Sequence, residues 1–176
     1  MRSFHRNAAV ALWAALSIAL AAPTTAEEQN PYLITTRQIP PEYKVTEAFL
    51  DYLKPAKEAS GFQAGAAPQW DIARLLSFIS SEGFAASDVN RGRNVARYSP
   101  QQIRSAVTAR KGIPFQMLAH VGHIYAQPYK QYSELRFEPQ GDGVVVQVAD
   151  WYRLTFASQG GQLKLNRVDY LMREGH

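Results

Sequence analysis

The sequence predicts an α+β domain in which two or three N-terminal helices pack on a curved antiparallel meander sheet. Three observations carry this. Up to Gly112 the apolar residues recur at the three-to-four spacing of helices, and from about Met117 they recur at a spacing of two. Turn-forming clusters at Pro139–Gly143 and Ser158–Gly161 cut the second half into short strands. Helices grouped ahead of strands, rather than alternating with them, belong to the α+β class.

The first helix is expected from about Glu42, with Val45, Phe49, Tyr52, Leu53 and Ala56 on one face and Pro55 weakening its last turn. Gly61–Pro68 is a small-residue connector. A second helix is expected over Gln69–Ser81, where Ile72, Leu75, Leu76 and Ile79 make an apolar stripe, and Gly83 ends it. Phe84–Tyr98 reads as a short strand and a turn around Asn90-Arg91-Gly92. The third helix has the strongest local signals. Ser99 is an N-cap, Pro100 takes the first helical position, Gln102 completes a capping box, and Gly112 is the expected C-cap.

His120–Tyr125 fits a strand, and a helix starting at Pro114 fits as well. Glu134-Leu135-Arg136-Phe137-Glu138 alternates strictly, as a half-buried strand does. Val144–Ala157 reads as one long strand rich in β-branched and aromatic residues, and Gln162–Met172 as the last. In that last strand the apolar positions slip by one residue between Leu165 and Val168, which predicts a bulge near Asn166-Arg167 and a bent sheet.

Three segments organise the chain: a leader over 1–26, an arm or linker over 27–41, and a single domain over 42–176. Arg2 and Arg6 precede an uncharged run rich in alanine and leucine over 7–22, and Pro23-Thr24-Thr25-Ala26 supplies small residues at cleavage spacing. This is the pattern of a secretory signal peptide, with cleavage expected after Ala26. The apolar run is shorter than the roughly 20 residues that span a bilayer, which leaves an uncleaved anchor as the weaker alternative. The expected location is therefore outside the cytoplasm, in a bacterial periplasm or secreted.

The 176 residues contain no cysteine, which excludes disulfides, thiolate metal sites and a cysteine nucleophile. The net charge of +4 includes Arg2 and Arg6, so the expected mature chain is only slightly basic, and nucleic acid is not an expected partner. Charge is unevenly spread. No acidic residue lies between Asp88 and Glu134, an interval that holds Arg91, Arg93, Arg97, Arg104, Arg110, Lys111 and Lys130. Clustering of one sign can draw in anions, and Arg91, Arg93 and Arg97 are the candidates; separate solvated side chains are the other reading. Arg91-Gly92-Arg93 is too short for a phosphate loop, and no cofactor is implied.

The chain resembles the nuclear transport factor 2-like superfamily, which includes ketosteroid isomerase and polyketide-cyclase-like proteins, over roughly Val45–Met172. The residues that carry the resemblance are Leu75-Leu76-Ser77-Phe78-Ile79 through Gly83-Phe84, then Tyr98-Ser99-Pro100-Gln101-Gln102-Ile103, and the closing Gly161-Gln162-Leu163-Lys164-Leu165-Asn166-Arg167-Val168. It implies a bent sheet wrapped around helices into a cone with an apolar pocket, and dimerisation through the outer sheet face. The absent catalytic motif, the basic interval and the aromatic-rich strands give as the expected function an exported binding or accessory domain without enzymatic activity. Its ligand would be small and apolar or anionic, or its partner a protein of the envelope. The alternative is a small isomerase, dehydratase or cyclase.

For that alternative Asp150 is the candidate base. If Val144–Ala157 is one strand, Val144, Val146, Val148, Asp150, Tyr152, Leu154 and Phe156 share its inner face, and a carboxylate there suits acid–base work. Tyr152, about 6.6 Å further along, could donate to a developing oxyanion. A bulge near Ala149 would instead turn Asp150 outward toward Arg136, Arg153 or Arg167. Trp70, His120, His123, Tyr125 and Tyr170 are candidates for lining a pocket, with ordinary core as their other reading. On a strand, His120 and His123 fall on opposite faces, and on a helix together. No metal site is expected. Asp169 is expected to be solvated.

Overall fold

A computed structural model describes residues 39–54, 69–88, 93–128 and 134–171, without the side chains of 93–95. The expected leader, most of the arm, the connector over 61–68 and the turn at Asn90-Arg91-Gly92 lie outside the described residues. A 3-10 turn over Pro41–Tyr43 leads into α1 (Lys44–Leu53), followed by α2 (Ile72–Ser77), β1 (Phe84–Asp88), β2 (Arg93–Tyr98), α3 (Pro100–Ala109) and α4 (Ile113–Ala126). Strands β3 (Leu135–Gln140), β4 (Gly143–Val148), β5 (Tyr152–Gln159) and β6 (Gln162–Tyr170) complete the order. The class is α+β, as the sequence predicts. Among the described residues there are four α-helices rather than two or three, and the sheet is mixed rather than a pure meander. Its order is β2-β1-β6-β5-β4-β3, and β1 runs parallel to β6 while every other neighbouring pair is antiparallel.

The expected helix face of α1 is rotated slightly. Thr46, Phe49, Leu50 and Leu53 are buried, and Thr46 tolerates this because its hydroxyl donates to the Tyr43 carbonyl at 2.7 Å. Lys54 is already extended at ψ 135°, as the residue before a proline prefers. Helix α2 is shorter than the expected Gln69–Ser81. Asp71 caps it by accepting from the Arg74 amide, and the chain leaves the helix after Ser77 to bridge Ile79 to Leu165 of β6. Ser99 and Gln102 form the expected capping box on α3. Its C-terminus closes at Arg110 instead of Gly112: Arg110 adopts a left-handed φ of 49°, and the amides of Lys111 and Arg110 bond to Ala106 and Val107. Gly112 instead precedes α4 as its N-cap.

Two features of the chain shape everything that follows. First, of the two readings open for His120–Tyr125 the helix is the one formed, within a 14-residue α4 that buries Phe115, Leu118, Val121, Gly122 and Tyr125. Second, Val144–Ala157 is two strands. Residues 149–151 turn the chain so that Val148 pairs with Tyr152, with Ala149 at φ 49°. A three-residue turn preserves parity. Val144, Val146 and Val148 on β4 and Tyr152, Leu154 and Phe156 on β5 therefore all face the core as expected, and only Asp150 drops out. The predicted bulge is present at Asn166, since Thr155 opposes Arg167 while Phe156 opposes Leu165.

These inward residues join the buried faces of the four helices in one core cluster. Helix α4 can lie this close to α1 only because residue 122 is glycine: a Cβ there would stand 2.1 Å from the Leu53 carbonyl oxygen. Gly122→Ala should therefore cost about 1–3 kcal/mol by overpacking, read as a lower urea midpoint. An unchanged midpoint would mean that the α1–α4 approach is loose.

Candidate functional site

Register, rather than any local motif, assembles the site. Asp88 of β1 opposes Tyr170 of β6, and Tyr170 opposes Tyr152 of β5, so three polar side chains stand side by side across the sheet. The tyrosine rings are 5.4 Å apart. Helix α4 crosses above this row and brings His120 down on it. His120 Nδ1 is hydrogen-bonded to the Tyr152 hydroxyl at 2.8 Å, and its ring meets Trp151 and Tyr152 edge-on at 5.4 and 5.6 Å. His123 follows one turn later with its ring 6.4 Å from that of His120. Gln127 holds His123 by donating to its carbonyl oxygen at 3.4 Å, and the amide nitrogen lies 3.2 Å from the ring.

Between α4 and the β2–β1–β6–β5 part of the sheet lies an open cleft of about 730 Å³. Tyr98, Met117, Tyr152, Tyr170, Ala86 and Ala96 give it an apolar and aromatic lining, and Asp88, Gln116, His120 and His123 supply polar groups. Tyr152 is 3% exposed, and burial pushes its phenol well above the ordinary range, with Tyr170 and the charge of Asp88 adding to the effect. Burial also pulls the His120 imidazole below its usual value, helped by His123. Both members of the pair are therefore neutral at neutral pH. A neutral imidazole bonded to a neutral phenol can offer a ligand one donor and one acceptor, and can accept a proton.

Four of the residues singled out from sequence meet in this cleft: His120, His123, Tyr152 and Tyr170. The others do not. Asp150 sits exposed in the β4–β5 turn, where Gln147 donates to it at 3.2 Å, so its expected inward position is corrected. Trp70 packs on Phe115 at 5.8 Å instead of lining the cleft. Tyr125 is buried against α1, with Lys54 Nζ 4.8 Å from its ring centre. Arg97 is exposed and lies 3.6 Å from Glu82. Arg91 and the Arg93 side chain lie outside the described residues. Asp169 is not solvated: it is 4% exposed and accepts from Ser87 and, at 2.8 Å, from Arg167. Among the described residues no three His, Cys, Asp or Glu side chains are placed to hold a metal.

No family model, curated protein or solved structure matches this chain. The site must be read from its own chemistry. Asp88, Tyr98 and Met117 were missed from sequence. Asp88 was visible as the last acid before the basic interval, but its place beside Tyr170 depends on a parallel pairing that no local pattern announces.

The lowered proton affinity of His120 has a consequence for stability. In the unfolded chain an imidazole takes its proton near pH 6.5, and in the fold His120 does so at lower pH. Within that window the unfolded state holds more protons, so stability falls as the pH drops below about 6.5 and is fully present above it. His120→Gln should flatten this part of a urea-unfolding series between pH 7.5 and 5. Equal slopes in the two proteins would show that His120 titrates as a solvated imidazole.

Proposed function

We propose that this chain is an exported, non-enzymatic binding domain of nuclear transport factor 2-like type. Its cleft takes a small ligand with a flat, apolar body and one hydrogen-bonding group. The leader-like N-terminus supports export. The order of elements, with helices ahead of the last four strands, and the bulge in β6 support the family reading. One observation carries the binding role: a cleft of about 730 Å³, walled by tyrosines and Met117, has the His120–Tyr152 pair on its surface. Ligand sites are typically mostly apolar, of roughly 300–1,000 Å³, with a few convergent polar groups.

The rings of Tyr98, Tyr152 and Tyr170 would contribute contact area, and the neutral pair would select a carbonyl or hydroxyl. Asp150, the candidate base of an isomerase, dehydratase or cyclase, is exposed in the β4–β5 turn and is not among the residues that line the cleft. Binding without turnover is the simpler reading.

Phenol and cyclohexanone are suitable first probes, followed through backbone amide NMR shifts of the full chain. The expected result is a cluster of shifts around residues 116–123, 152 and 170, with Tyr152→Phe weakening the probe by roughly 2- to 10-fold, the worth of one hydrogen bond. Shifts scattered over the surface, or none at millimolar probe, would remove the cleft as a binding site.

A further inference from the structure

We infer that the ligand of this cleft is elongated: behind its flat, hydrogen-bonding head runs an alkyl chain, which leaves the cleft over Ile113 into a second groove between α3 and α4. This rests on the proposal that the cleft binds a small molecule, and it sets the length and the tail chemistry of that molecule. The second groove has a volume of about 490 Å³ and shares Tyr98 and Ile113 with the cleft, so the two adjoin there. Ile113, at the join, is 53% exposed, the one large hydrophobic side chain left open among the described residues.

Helix α4 supplies the path. Ile113, Gln116, Met117, His120 and His123 follow one another at the three-to-four spacing of one helix face, and all five line the cleft. From His120 back to Ile113 the helix axis runs about 10 Å. A ring hydrogen-bonded to the His120–Tyr152 pair spans only part of that distance, and a chain on the far side of the ring covers the rest. Beyond Ile113 the groove continues with Ala106, Gly112 and Pro114 as apolar lining, and with Gln101, Gln102 and Ser105 as polar. The side-chain oxygen of Gln102 is already committed, since it accepts from the Ser99 amide in the capping box. An alkyl chain asks for no hydrogen bond and gains from each apolar surface it covers, so it suits this groove. Covering Ile113 also removes that side chain from water.

Four homologous probes test this on the full chain: phenol, 4-ethylphenol, 4-butylphenol and 4-hexylphenol, titrated by NMR. Affinity should rise roughly 2-fold per methylene up to the hexyl compound, against about 4-fold for a methylene buried completely. The amide shifts that 4-hexylphenol adds to those of phenol should fall at residues 101–106 and 112–114. Ser105 and Gln101 line the groove and not the cleft, which makes them the controls. Ser105→Glu places a carboxylate against the chain. It should weaken 4-hexylphenol about 5-fold or more, because a charge beside an apolar chain loses water, and leave phenol binding and the melting temperature at wild type. Gln101→Glu, in the first turn of α3 where an acidic residue is favourable, should act in the same direction, and it carries the test if Ser105→Glu fails to fold. Phenol binding with no gain from chain length, added shifts away from the groove, or variants that weaken phenol and 4-hexylphenol equally or not at all would each overturn the inference while leaving the cleft as a binding site. No binding of phenol or of any homologue would remove the cleft reading, and this inference with it.

Discussion

The parallel pairing of β1 with β6 is the constraint on which the rest of the molecule depends. Parallel neighbours need a long crossover, and here the crossover is most of the domain: β2, α3, α4 and β3–β5 all lie between the two strands in sequence. The seam also has its own fastening. Within the seam, Ser87 of β1 donates to Asp169 of β6, and Arg167 places its Nε 2.8 Å from both carboxylate oxygens. A carboxylate this deeply buried is tolerated only with such partners, and stripping them leaves an uncompensated charge. One residue further along each strand, Asp88 and Tyr170 meet at the cleft.

The chemistry of the cleft follows from where α4 is held. Gly122 allows the helix to close on α1, and that position sets His120 over Tyr152. The hydrogen bond joins two groups that burial keeps uncharged, in surroundings where an unpaired polar atom would be costly. The cleft is thus lined mainly by aromatic and apolar groups, with the His120–Tyr152 pair on its surface.

Some local signals are legible in the sequence because their physics is local. Ser99 and Gln102 determine their cap within one turn of chain, and Gly160 and Gly161, both at positive φ, make the β5–β6 turn. The slip in apolar spacing located the bulge at Asn166 without any knowledge of its partner strand. The β4–β5 turn was hidden because Ala149-Asp150-Trp151 contains none of the usual turn residues, and alanine at φ 49° is not foreseeable from composition. Helix α4 was obscured because its apolar residues extend around much of its surface, which blurs a 3.6-residue stripe. The cleft itself could not be read, since Asp88, Tyr170 and Tyr152 come together only through a pairing between strands far apart in sequence. Asp169 shows the same limit: its burial depends on Ser87, 82 residues away.

The most direct test is the NMR spectrum of Asp169→Asn, with Ser87→Ala as the milder change to the same seam. If the seam shapes the cleft, resonances of His120, Tyr152 and Tyr170 will move in both variants, although Asp169 is not among the residues that line the cleft. Those of Leu53 and Gly122, at the α1–α4 contact, will stay in place. Cleft resonances that coincide with wild type in folded variants would contradict the account, and would mean that α4 and β5 position the site without the seam.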